Sequence, residues 1–205
     1  MTRQLSVRSL VLSAMVGSIL IGVDSRTAAQ APLEVNAARI TIAGTSNVHD
    51  WTASTTEAKV TRVQFASVPA GESFWEDAQK PGALEAFEIT VPAAMLKSEK
   101  EGLDKNMYKA LKTKEFPEIT FRLARLEGTG AALKASGTLR IAGVDREITV
   151  PVKTTRKGSM LNVTGETDLL MTDYGIAPPK AMMGMIKTDP KIKITFELLL
   201  AVATT

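Results

Sequence analysis

Apolar and polar residues alternate one by one along much of the chain, and the alternation is clearest near its end. Between 191 and 200, apolar residues at every second position are separated by Lys191, Lys193, Thr195 and Glu197. Shorter stretches of the same kind lie at 34–44, 51–55, 63–68, 87–91, 119–123, 131–141, 148–152 and 161–171. A period of two predicts strands with one buried face and one solvated face, as antiparallel sheets have.

One stretch follows a helical period instead. Leu103, Met107, Ala110 and Leu111 are spaced to form one apolar stripe on a helix. Ser98 and Glu101 have the spacing of a capping box, and Pro117 predicts that the helix has ended by residue 116. Its other face carries lysines interleaved with acidic residues, which favours a solvated surface over contact with phospholipid or a ligand head group.

The elements together predict a mainly β fold, an antiparallel barrel of about eight strands with one inserted α-helix, because closure removes exposed sheet edges. A barrel of that size can hold one small or slender ligand, and its inner face is apolar here. Residues 69–82 break the strand pattern, and a short helix through Phe74 and Trp75 is plausible. The two aromatics either cover a cavity or pack locally, and local packing is favoured.

The first 29 residues read as a secretory signal peptide. Arg3 and Arg8 precede an apolar run at 10–23, and small residues around Ala29 suit cleavage there, leaving a domain at 30–205. That domain has 22 basic and 21 acidic residues and no cysteine. The balance gives no reason to invoke nucleic acid, and export without disulfides favours a periplasmic protein with no stable membrane anchor after cleavage.

The chain has few residues suited to catalysis or metal binding. His49 is its single histidine, and a triad of Ser46, His49 and Asp50 is disfavoured because neighbours in a turn rarely converge in the required geometry. Methionines at 182, 183 and 185 suggest a copper(I) site, but flexible packing at the barrel mouth explains them better. We therefore predict no catalytic residue, no metal and no cofactor.

Four stretches resemble the YceI-like domain of bacterial periplasmic proteins. They are the aromatic, proline and strand sequence at 116–121, the paired strands around a glycine turn at 137–152, the aspartate, aromatic and glycine motif at 171–176, and the last strand at 191–198. The hairpin at 47–51 and Thr172, where arginine is common, depart from the family pattern. The resemblance implies a lipocalin-like fold that binds a polyisoprenoid chain.

The function expected from these observations is a periplasmic, non-enzymatic carrier that holds a polyisoprenoid or another long-chain amphiphile inside the barrel. The alternative is a structural or interaction barrel with a filled core, acting through its surface or as a homodimer. Strand parity, the helix stripe and the turn motif select the predicted ligand-binding residues, which are Phe65, Phe87, Met107, Leu111, Phe121, Leu139, Ile141, Met171, Tyr174, Ile194 and Phe196.

Overall fold

The computed structural model describes residues 33–67 and 71–203, so the predicted signal peptide at 1–29 lies outside the described residues. Ten strands make up most of it. They are β1 Leu33–Ser46, β2 Trp51–Thr55, β3 Lys59–Phe65, β4 Leu84–Pro92, β5 Glu118–Thr129, β6 Ala132–Ile141, β7 Val144–Lys157, β8 Met160–Leu170, β9 Lys180–Ala181 and β10 Ile186–Val202. Each stretch of period two therefore forms a strand, and most of the strands extend beyond their apolar pattern.

Two α-helices interrupt the strands, α1 at Phe74–Ala78 and α2 at Glu101–Ala110. The predicted capping box of Ser98 and Glu101 is wrong, because α2 begins at Glu101 and its N-cap is Lys100, which makes no cap hydrogen bond through its side chain. Ser73, the residue before α1, makes none either. The Ser73 hydroxyl donates to Asp77 Oδ2 at 2.9 Å. At α2 the carboxylate that reaches back is Asp104, whose Oδ1 accepts from the Ser98 amide at 2.8 Å.

The strands form one antiparallel sheet in the order β2-β1-β10-β8-β7-β6-β5-β4-β3, with β9 paired to β10. The predicted antiparallel, mainly β fold is confirmed, but nine strands lie on this path where we expected about eight. Each of the nine stretches of period two corresponds to one of these strands, and β2 turns back after 46–50 and pairs with β1 from Gly44 to Ile40.

The sheet is curled into a half-barrel, and its edge strands β2 and β3 do not pair with each other in the described part of the chain. The free edge of β2 is satisfied by the segment that precedes α2. Ser54 and Lys97 exchange backbone hydrogen bonds of 2.8 and 2.9 Å. The Tyr108 hydroxyl donates to the Leu96 carbonyl at 2.6 Å, which ties α2 to the same segment. An edge is thus covered by a paired loop instead of by strand closure.

The concave face of the sheet is apolar because apolar residues alternate with polar residues that face outward. In β6, Leu133, Ala135, Leu139 and Ile141 are buried, while the residues between them are exposed or half-buried, namely Lys134, Ser136, Thr138 and Arg140. The inner residue at the middle of this strand is Gly137, and a Cβ there would lie 2.1 Å from the Arg122 carbonyl oxygen of β5. A glycine therefore permits the close approach of β5 and β6.

Candidate functional site

A cavity of about 650 Å³ lies on the concave side of the sheet. Its wall includes every second residue of β10 from Ile192 to Leu200, a distance of about 27 Å at 3.3–3.4 Å per residue. We call this cavity the channel, and its volume lies within the range of about 300–1,000 Å³ usual for small-molecule sites.

One end of the channel is closed by α1. Phe74 and Trp75 are buried, and the Phe74 ring meets both Phe65 and Trp75 edge to face. Trp75 lines the channel, and its Nε1 donates to the Ser159 carbonyl at 2.8 Å. The two aromatics therefore pack locally, as the sequence favours, and the same packing closes this end of the cavity.

The other end lies between α2, the β1–β2 turn and the segment from 179 to 188. Apolar residues of α2, Leu103, Met107 and Ala110, face the channel there. Polar residues line this mouth as well. They are Ser46, His49, Lys100, Asn106, Lys180 and Thr188. Among the described residues, no acidic side chain lines the channel, whereas Lys100 and Lys180 do, so the mouth favours neutral or anionic groups.

The eleven residues predicted from the sequence all lie in the wall of this channel. Strand parity places Phe65, Phe87, Phe121 and Phe196 there, and the helix stripe places Met107 and Leu111. The remaining five, Leu139, Ile141, Met171, Tyr174 and Ile194, line it near α2 or along β10. That they contact a ligand stays a prediction.

The Tyr174 side chain is held neutral by its surroundings. It is buried, its hydroxyl has no hydrogen-bond partner in the described structure, and Gly175 after it adopts a left-handed conformation with φ 66°. Burial, reinforced by the nearby Asp173 carboxylate, raises the pKa of Tyr174 to about 12, although Arg146 opposes the shift. Tyr174 therefore adds an uncharged aromatic surface to the channel at neutral pH.

His49 and Ser46 do not form a catalytic pair. The Ser46 hydroxyl donates to the backbone carbonyl of His49 at 2.8 Å and accepts from the amides of Val48 and His49 at 3.2 Å. These bonds engage the hydroxyl in a local serine turn, and they do not direct it at the imidazole. The structure thus gives Ser46 a role in shaping the β1–β2 turn.

The methionines lie at the mouth as expected, but the prediction that they pack there is wrong. Met182 and Met185 are each 64% exposed, and Met183 is fully exposed. Met182, Met183 and Gly184 all have positive φ angles, between 49° and 90°. The left-handed turn directs these side chains into solvent, which the composition alone could not reveal.

The polar residues of the mouth were missed from the sequence. Lys100 is at the start of α2, Asn106 is on its exposed face, and Lys180 is in the two-residue strand β9. Neither a hydrophobic period nor a sequence motif distinguishes these residues. Their common feature is spatial, because Lys100 and Asn106 of the α2 region and Lys180 of β9 lie far apart in the chain and line one cavity only in the folded protein. A tertiary relationship of this kind leaves no local pattern.

The fold places the chain among antiparallel β proteins whose curved sheet encloses an apolar cavity. Residues 33–199 match the family model of the YceI-like domain, and the chain belongs to that family. The predicted family is thereby confirmed. A comparison with curated protein sequences gives no match.

Solved structures of the same fold include three from different bacteria. BcnA of Burkholderia cenocepacia has a TM-score of 0.61 and 15% identity, over 82% of this chain and 96% of that one. A polyisoprenoid binding domain from Saccharophagus degradans has a TM-score of 0.60 and 10% identity, over 85% of this chain and all of that one. The YCEI protein of Campylobacter jejuni has a TM-score of 0.55 and 12% identity, over 97% and 100%. At these identities the likeness is one of fold.

In the described part of the chain, no helix is long and apolar enough to cross a membrane. The same residues contain no cluster of three or more histidine, cysteine, aspartate or glutamate side chains suited to hold a metal ion.

Proposed function

We propose that the protein is a non-enzymatic, periplasmic carrier whose channel holds a polyisoprenoid or another long-chain amphiphile. The observation that carries the proposal is the apolar channel of about 650 Å³ along the inner face of the sheet. Apolar burial contributes about 25 cal/mol per Å². A hydrocarbon chain can therefore gain micromolar affinity without a hydrogen bond.

Three further observations support this function over the filled-core alternative. The interior is not filled by its own side chains. A solved structure of the same fold is described as a polyisoprenoid binding domain. Both lysines that line the channel, Lys100 and Lys180, lie at its mouth, which suits an amphiphile whose head group stays there while its chain lies inside.

Extraction of the purified protein tests the proposal directly. The protein is denatured in organic solvent and the extract is analysed by mass spectrometry, and displacement of a fluorescent fatty acid is measured in parallel. We expect a co-purified long-chain lipid or saturable probe binding. A clean extract together with no probe binding would contradict the carrier function.

A pair of matched variants locates the binding. Val163 of β8 lines the channel, and its neighbour across β7 is Thr154, next to the outward-facing Lys153. Val163→Trp should fill the channel and weaken probe binding about tenfold or more, because an indole occupies the space of several ligand groups. Lys153→Trp adds the same ring to the outer face and should leave binding unchanged. Equal affinity in both variants would place the probe elsewhere.

A further inference from the structure

The mouth of the channel carries a concentration of exposed apolar side chains. We call this region the rim and define it as residues 46–50 with residues 180–187. Seven large apolar residues are exposed in the described structure, and four of them, Val48, Met182, Met183 and Met185, lie on the rim. The others, Met95, Leu170 and Val202, are single residues in three separate elements. Scattered exposed residues are ordinary, whereas a group at one site indicates an interaction surface.

The two halves of the rim are one connected unit. Ser46 of β1 pairs with Thr188 of β10. The residue before Thr188 in β10, Lys187, pairs with Lys180 of β9. Asn47 joins them further, because its Nδ2 donates to the Met185 carbonyl at 2.9 Å and its Oδ1 accepts from the Lys187 amide at 2.7 Å. The exposed side chains of both halves are thus presented together from a hydrogen-bonded scaffold.

The charges of the rim favour an anionic partner surface. Lys180 and Lys187 are exposed, and neither has an ion pair among the described residues, whereas Lys191 and Lys193 further along the same strand pair with Asp168 and Glu166. Within the rim, Lys180 and Lys187 outnumber the one acidic residue, Asp50. Lys100 also lines the mouth, but the exposed Glu99 and Glu101 flank it in the chain, so it adds no net positive charge.

Exposed apolar side chains flanked by lysines are the chemistry that binds the interface of an anionic bilayer. We propose that the rim docks onto an anionic phospholipid membrane, with Val48 and the three methionines inserted among the lipids and Lys180 and Lys187 against the head groups. Docking in this orientation places the mouth of the channel against the bilayer. A long-chain ligand then passes between membrane and channel without crossing water. The cargo in this inference rests on the proposed function, but the docking itself does not.

Vesicle flotation tests the docking. The wild type should float with vesicles of phosphatidylethanolamine and phosphatidylglycerol, and much less with phosphatidylcholine alone. Combined replacement Val48→Ser, Met182→Ser, Met183→Ser and Met185→Ser should lower binding about tenfold or more, because the inserted apolar area is lost. The control is Leu170→Ser with Val202→Ser, which removes exposed apolar side chains outside the rim and should bind as wild type does. Wild-type protein that fails to float, or a rim variant that floats equally well, overturns the proposal.

A charge-reversal variant tests the electrostatic contribution of the lysines to docking. Lys180→Glu with Lys187→Glu should abolish the preference for phosphatidylglycerol, and added salt should weaken wild-type binding because it screens the head groups. An unchanged preference would contradict docking through these lysines.

Two measurements separate this inference from its competitors and from the carrier function. The rim variant should take up a fluorescent fatty acid from solution as the wild type does, but should take it up more slowly from labelled vesicles. If the wild type takes up no fatty acid from solution, the carrier function is contradicted, but the flotation result still stands. Two alternative occupants of the rim are tested on the wild type: a copper(I) ion by a competition assay, and a second copy of the chain by light scattering. If the rim binds either of them and does not bind vesicles, docking is overturned.

Discussion

Asn47 and Lys187 are joined by two hydrogen bonds although they lie 140 positions apart in the chain. The Lys187 amide donates to Asn47 Oδ1 at 2.7 Å, and the Asn47 amide donates to the Lys187 carbonyl at 3.1 Å. The asparagine side chain thereby continues the β1–β10 ladder past the irregularity between Gly44 and Ser46. The position of the channel mouth depends on this pairing.

Replacement Asn47→Ala removes both side-chain bonds, one to Lys187 and one to Met185, so the methionine turn should loosen. We expect the Lys187 amide to exchange its hydrogen faster and the free energy of unfolding to fall by about 1 kcal/mol, the usual net value of a hydrogen bond. Hydrogen exchange and denaturant unfolding measure these effects. Asn36→Ala, at an exposed position of β1, should change neither, and equal effects of the two variants would contradict the role of Asn47.

Gly165 of β8 lies opposite Phe196 of β10, whose ring covers it. A Cβ at Gly165 would lie 2.6 Å from Phe196 Cζ and 2.9 Å from the Pro151 carbonyl oxygen. Gly165→Ala should therefore displace the ring into the channel and destabilise the protein by about 1–3 kcal/mol. The free energy of unfolding and the affinity for the probe should both fall, and adding Phe196→Leu should restore part of each. A second change that restores nothing would show that Phe196 is not the residue displaced.

Gly102 gives the opposite expectation. It lies in the first turn of α2, and a Cβ built there has no neighbour within 4 Å. Because alanine lowers the entropy of the unfolded chain and suits a helix, Gly102→Ala should stabilise the protein by up to about 1 kcal/mol. Denaturant unfolding measures the change, and a loss of stability would mean that α2 requires glycine for a reason not evident in its packing.

The sequence predicted the strands well because their inner residues face the apolar concave side of the sheet. Residues such as Leu139, Ile194 and Phe196 are apolar for one reason, contact with the concave side of the sheet, so period two identified both the strands and the channel wall. The family motifs then supported the same fold. The sequence showed, residue by residue, which side chains of each strand face inward, and the candidate residues in the strands were chosen from these.

The mouth and the caps could not be derived in that way. Ser98 and Glu101 have the spacing of a capping box, but the Ser98 amide is bound by Asp104 and the box does not form. The methionines are apolar, so composition suggested packing, whereas a left-handed turn exposes them. Both errors arise where tertiary hydrogen bonds and turn geometry override local preference.

Asp104 makes stability depend on pH in the acidic range. Burial alone would raise the pKa of Asp104, but hydrogen bonding from Ser98 and the charge of Lys97 outweigh it, so the pKa is lowered. A carboxyl whose pKa is lower when folded binds fewer protons in the folded state, and its stabilising contribution is present above the unfolded value near about 3.9. That contribution is lost as the pH falls through the folded value.

The difference in unfolding free energy between wild type and Asp104→Asn should therefore be constant near neutral pH and shrink below about pH 4. Denaturant unfolding at a series of pH values measures it. Asp173→Asn serves as a control, because Asp173 is exposed and accepts no hydrogen bond among the described residues, and its difference should stay small throughout. A wild-type advantage over Asp104→Asn that grows as the pH falls would contradict the sign of the shift and the bond from the Ser98 amide that produces it.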